Sequence, residues 1–206
     1  METFLHLNNT NSNWKEGDEI FIGKGYNNFW RTYLERDESF NIQGEELNAF
    51  KVLNAAFEEY SKIHPPPKKM DSYHFQPIDT LRESIECLRN AITINRELIF
   101  ESVRKDIYPH LPSRQKCIWL IPEVQESLRF WMSVLNRGER KRLFRLELLE
   151  GKFHRAAQEW LVGGTYSINK WNQLAKNYWE GERSGNIEDE VLYEGMIRIV
   201  EEVVMR

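Results

Sequence analysis

Near the end of the chain, Val191 to Val204 reads as one long β run rich in β-branched residues, broken only by Gly195. Its strand-like companions lie far away. Phe4-Leu5-His6-Leu7 opens the chain, and Glu19-Ile20-Phe21-Ile22 follows between glycine-rich turns. Cys117-Ile118-Trp119-Leu120-Ile121 is an apolar run closed by Pro122. Leu143 to Leu149 alternates as a half-buried strand, with Glu150-Gly151 read as a turn and Lys152 to Ala156 as its hairpin partner. Helical spacing is gathered mainly in the first half. Phe29 to Glu35 is one such segment, and Gly44 to Ile63 is a second, carried by Leu47, Phe50, Leu53 and Tyr60. Pro65-Pro66-Pro67 stops it, and His64 to Gln76 is read as a loop. A long helix begins near Asp79 or Thr80 and ends before Pro109, Glu123 to Leu135 is another, and Ser167 to Glu182 sits between late strands. Strands at both ends with helices between them predict an α+β fold, because the strict βαβα alternation of a parallel sheet is missing.

Composition supports one well-cored domain spanning residues 1–206, with residues 27–110 its mainly helical portion. At 206 residues the chain buries enough surface to fold without a disulfide or metal, and 41% hydrophobic residues with seven Trp supply the core. Cys87 and Cys117 form no CxxC pair and read as reduced core thiols. Met1 to Phe4 carries neither a basic nor an apolar leader, and no window approaches 18 apolar residues, so a cytoplasmic chain with no membrane partner is expected. Net charge is −4 with a pI near 5.8, which argues against a general nucleic-acid binder. The basic run from Arg137 to Arg145 is interrupted by Glu139 and reads as a solvated face.

Strong catalytic signatures are missing: HExxH, GxSxG, a Walker-type phosphate loop and a Cys/His metal cluster do not occur. What remains is dispersed. His6 lies inside the first strand, where a histidine is costly unless hydrogen-bonded. Trp119 is central in an apolar strand, and a core aromatic is the commoner outcome there. Glu194, followed by Gly195, interrupts the last strand and suggests a bulge or close backbone approach. Glu190 and Glu201 read as solvent-facing strand carboxylates. The aromatic segment Tyr26, Phe29, Trp30 and Tyr33 reads as core or as cover for a cleft.

Taken in order, Phe4-Leu5-His6-Leu7, Cys117-Ile118-Trp119-Leu120 and Tyr193-Glu194-Gly195-Met196 resemble the His-Tyr-Glu class of the ADP-ribosyltransferase superfamily. The chain also resembles an uncharacterised bacterial family of that fold, through Arg96-Glu97, Phe100 to Arg104, Leu111-Pro112-Ser113-Arg114 and Trp179. The resemblance implies split β-sheets and NAD as substrate. It implies that His6 bonds the ribose and nicotinamide, that Trp119 stacks on the nicotinamide, and that Glu194 is the catalytic carboxylate facing an oxocarbenium-like centre. Ser113 and Arg114, just before the Trp119 strand, become candidates for the pyrophosphate or ribose, a surface salt bridge being the alternative for Arg114. The sequence departs from the class where Trp119 replaces tyrosine and where Leu7 and Asn8 follow the histidine instead of glycine and threonine. Two functions follow: an NAD-dependent ADP-ribosyltransferase or NAD glycohydrolase with an unknown macromolecular acceptor, or a catalytically degenerate module binding a nucleotide or protein. A third, an NAD-using RNA phosphotransferase, is disfavoured by the acidic charge.

Overall fold

Antiparallel pairing between segments distant in sequence builds the main sheet. The computed structural model describes residues 3–9, 12–35, 39–42, 45–48, 77–135, 141–164 and 166–204. In chain order the elements are β1 (Thr3–Asn9), β2 (Glu19–Phe21), α1 (Asn28–Glu35), β3 (Ser39–Ile42), β4 (Glu45–Asn48) and α2 (Pro77–Ile107). They continue with β5 (Ile118–Pro122), α3 (Gln125–Leu135), β6 (Lys141–Ala156), a 3-10 turn (Gln158–Trp160), α4 (Ile168–Trp179) and β7 (Glu190–Val203). The mixture is α+β, and every pairing among the described strands is antiparallel. Among the described residues no helix is long and apolar enough to cross a membrane.

The chain divides into two compact units, Met1–Thr32 with Arg96–Arg206, and Tyr33–Asn95. In the larger unit the strand order is β2-β7-β5-β1-β6, and β6 also pairs with β7, so four strands close on themselves. Phe4, Ile118, Leu120, Phe144, Leu146, Val191, Tyr193, Ile197 and Ile199 alternate inward and form the enclosed core. Burying each large side chain of this kind contributes about 1.5–3 kcal/mol. On the outside, α3 lays Trp131 against Leu5, Ile121 and Leu143. Helix α4 is capped by the Ser167 hydroxyl, which accepts from the Lys170 N–H (3.3 Å), and buries Trp171, Leu174, Tyr178 and Trp179.

In the smaller unit, β3 and β4 form a hairpin with Phe40 opposite Leu47. This corrects the helix expected from Gly44, at least over Glu45–Asn48. Ser39 to Ile42 and Glu45 to Asn48 are short stretches flanking a glycine, a hairpin signal that the stronger helical spacing downstream obscured. Residues 49–63, and the loop expected over 64–76, lie outside the described residues, as do positions 137–140 of the basic run.

A second correction concerns β6. No turn forms at Glu150-Gly151; one 16-residue strand runs through, with irregular register near Leu148/Glu150 and Arg145/Leu146. Gly151 sits opposite Gly195, and a Cβ on Gly195 would lie 2.3 Å from Glu150 O and 2.4 Å from Gly151 Cα. The two glycines let β6 and β7 approach here, where the sequence had suggested a reversal.

Candidate functional site

Strands β1 and β5 pair at only two positions, Phe4 opposite Pro122 and Leu5 opposite Ile121. Beyond them the strands part. β1 continues from His6 to Asn9 on β6 alone, while Ile118 to Leu120 of β5 pair with β7. His6 marks the fork. Its Nδ1 lies 2.8 Å from Trp119 O, and a carbonyl can only accept, so Nδ1 carries the proton and donates. Dense surroundings push the imidazole pKa down to about 4 against the raising effect of that bond, so the ring is neutral at pH 7. Its Nε2 is then a bare acceptor.

Register places His6, Phe144 and Glu202 in one cross-strand row, because His6 pairs with Phe144 and Phe144 with Glu202. Directly paired residues share a face, and two strand spacings separate His6 from Glu202 by roughly 10 Å. Asn8 and Arg142 form the next row. Arg142 grips Glu202 through two bonds (2.9 and 2.6 Å), donates to Ser12 O (2.7 Å) and lies over the Phe144 ring. Trp14 covers this rim. Its ring centroid is 5.4 Å from that of His6 and 5.6 Å from that of Phe144.

Trp119 and Glu194 belong elsewhere. Ile118 and Leu120 point into the enclosed core, so Trp119 between them points out, where its ring meets Phe29 edge-on (6.1 Å). Tyr193 also points in, and Glu194 next to it points out. The Glu194 carboxylate accepts from the Ser113 N–H (2.8 Å). A strap from Ile22 to Asn27 crosses it. Ile22 N–H donates to Gly195 O (2.8 Å), and Asn27 is tied to Gln115 O (2.8 Å) and Arg114 O (2.7 Å). Gly23 fits where a Cβ would stand 2.6 Å from Glu194 Cγ. His6 points inward and Glu194 outward, so the structure does not bring them together; Trp119 shares the face of Glu194.

Arg114 is only 3% exposed, which removes the surface salt bridge expected as its alternative role. Its guanidinium donates to both oxygens of Glu97 (2.7 and 3.1 Å), to the Tyr178 hydroxyl (2.5 Å) and to Glu190. Four of its five N–H groups are thus spent inside the protein. Glu190, expected to face solvent, is buried here and also accepts from Tyr178 (2.9 Å). The correction has a plain cause: the first carboxylate of β7 is taken up by the Tyr178 hydroxyl of α4 and by the Arg114 guanidinium in place of water. Burial opposes ionisation of Glu97, yet Arg114 and Arg96 hold its carboxyl below the usual range. Burial likewise opposes the charged form of Arg114, but Glu190 and Glu97 raise its pKa. Two cations and two anions balance, a condition for keeping charge in a protein interior.

The same region fixes the turn before β5. Ser113 Oγ donates to Glu101 (3.0 Å), which is clasped by Arg104 through two bonds (3.1 and 2.8 Å). Arg104 also donates to Leu111 O (3.0 Å), and Trp179 Nε1 to Phe100 O (2.8 Å). Ser113 therefore meets Glu194 through its backbone, while its hydroxyl is committed. Glu201 is half-buried and paired with Arg145. Of the aromatic segment, Trp30 is buried and Tyr26 exposed. Cys117 is a buried thiol whose pKa burial pushes well up, unsuited to nucleophilic work. Among the described residues, no group of three or more His, Cys, Asp or Glu converges as a metal site.

Two rim residues had a visible but weak sign in the sequence. Trp14 stands alone next to an Asn/Ser-rich turn, and Glu202 breaks the end of the β run. No curated protein matches this chain. A family described as a protein of unknown function (DUF2441) matches residues 4–205, and the chain belongs to that family.

Proposed function

We propose that this chain is an ADP-ribosyltransferase-like protein that binds NAD or a related nucleotide in the fork between β1 and β5. One observation carries the reading: the strands part after Leu5 and Ile121, and a neutral His6 stands at the opening with Nε2 as an acceptor. The resemblance implies split sheets, whereas the main sheet here closes through β6 and β7, and the fork is a local opening within it. A ribose hydroxyl or a carboxamide N–H is the donor that a neutral imidazole nitrogen accepts. Binding without turnover fits best, because Glu194 lies across β5 from His6 with its carboxylate on the Ser113 N–H. Calorimetry with NAD tests this. Binding to the wild type, weakened about tenfold in His6→Ala, is expected for the loss of one buried hydrogen bond and its packing. Lack of binding at millimolar NAD overturns the reading.

A second reading, transfer or hydrolysis, is favoured by one feature: Glu202 stands in the His6 row, held by Arg142. A carboxylate there would face a ligand resting on His6 and stabilise positive charge at the ribose carbon as the bond to nicotinamide lengthens. Nicotinamide release, followed in the same samples, decides. Release lost in Glu202→Gln but kept in Glu194→Gln supports turnover at the rim, and no release in the wild type leaves the binding module.

A further inference from the structure

We propose that Trp14 is the residue that selects for a planar ring in the nucleotide bound at the fork. The proposal rests on the fork reading and adds the side chain that recognises the ring. Trp119 turns outward to Phe29, so the aromatic face beside His6 belongs to Trp14. Trp14 is half-buried: one side of its ring packs on the core cluster, against His6 and Phe144, and the rest of the side chain keeps partial exposure.

Its backbone is unusually well fixed for a loop residue. Ser12 N–H donates to Asn9 O (3.1 Å), Asn8 Nδ2 to Ser12 Oγ (3.1 Å), and Trp14 N–H to the same hydroxyl (3.3 Å). Farther along, Gly17 N–H donates to Ile199 O and Ile199 N–H to Asp18 O, both at 2.9 Å. The loop is thereby stitched from the end of β1 across to β7, with the Trp14 backbone between the two anchors. A large, rigid aromatic beside an unspent hydrogen-bond acceptor suits a heterocycle carried on a ribose. Stacking recognises the ring, and His6 recognises a donor beside it. Base–aromatic stacking of this kind changes affinity by roughly five- to a hundredfold.

The test is an NAD titration followed by the indole N–H signals of 15N-labelled protein, with Trp14 assigned by its disappearance in Trp14→Phe. The Trp14 signal should move with NAD while that of Trp119 stays. Trp14→Ala should weaken binding by roughly five- to a hundredfold, and Trp14→Phe should keep most of it. Should Trp14→Ala fail to fold, the wild-type shift and the Trp14→Phe affinity still decide. NAD binding with an unmoved Trp14 signal overturns the role of Trp14 and leaves the fork intact. No NAD binding to the wild type overturns both.

Discussion

Two regions of the larger unit are built from the same residue types and end in opposite states. Around Arg114, an arginine meets two carboxylates and a tyrosine, and nearly every donor and acceptor is consumed within the protein. Around His6, an arginine meets one carboxylate at a partly open rim, and an imidazole nitrogen is left as an acceptor. Spent groups make architecture, and unspent ones make a site. The short motifs through which the chain resembles an uncharacterised bacterial family fall on the closed side: Arg96 and Glu97, Glu101 and Arg104, Ser113 and Arg114, and Trp179. The most recognisable part of the sequence thus describes how the turn before β5 is fastened.

The contrast breaks most sharply at the two arginines. Arg114→Met leaves Glu97 and Glu190 buried without their shared cation, and a loss of about 3–5 kcal/mol is expected in denaturant unfolding. Arg142→Met removes a similar two-bond grip at an exposed rim, and its melt should be indistinguishable from wild type. Equal losses would erase the distinction between the regions.

The two histidines sharpen the contrast through pH. His6 and His154 both have pKa values lowered to about 4, in each case chiefly by burial, with His154 also bonded to Tyr178 O (3.0 Å). A lowered folded pKa means that the unfolded chain binds protons first. Their stabilisation is complete above the unfolded value near 6.5 and is lost as pH falls through about 4. The well-buried His154 contributes up to about 3 kcal/mol to this acid limb. At His6, which borders the rim, solvent makes the effect smaller. Stability curves between pH 7 and 4 for His154→Asn and His6→Asn should flatten in that order.

Smaller effects come from glycines. Gly195→Ala drives a Cβ into Glu150 O and Gly151 Cα, and about 1–3 kcal/mol is expected from thermal melts, since backbone on both sides must move. Gly23→Ala meets the Glu194 side chain, which can swing off the Ser113 N–H, but Gly23 has φ +118°, a backbone conformation that alanine rarely adopts, so a loss of about 1–3 kcal/mol is expected here too. NAD affinity at the fork should not change. A large loss of affinity in Gly23→Ala would place the ligand on the Glu194 side instead.

Much of the fold was legible because period and punctuation agreed. Phe4-Leu5-His6-Leu7 became β1, the Pro109 boundary held α2 to Ile107, and Ser167 capped α4. Where they conflicted, tertiary pairing decided. Glu150-Gly151 looks like a turn, yet Gly151 is the residue that lets β6 pass close to Gly195. The site was legible only in part. His6 stood out as a polar residue in an apolar strand, but alternation alone does not say which face of β5 belongs with which face of β1. Register puts Trp119 opposite Leu192 on the outside and Phe144 and Glu202 with His6. Trp14 could not be placed from spacing at all, since it reaches the rim through a loop.

The central claim is that the ligand belongs to the unspent side, and 15N-histidine spectra of the wild type during an NAD titration test it most directly. His6 Nε2 should shift from a bare acceptor toward a hydrogen-bonded one, while His154, beside the Arg114 cluster, keeps its position. Saturable NAD binding that moves His154 and leaves His6 untouched would contradict the account.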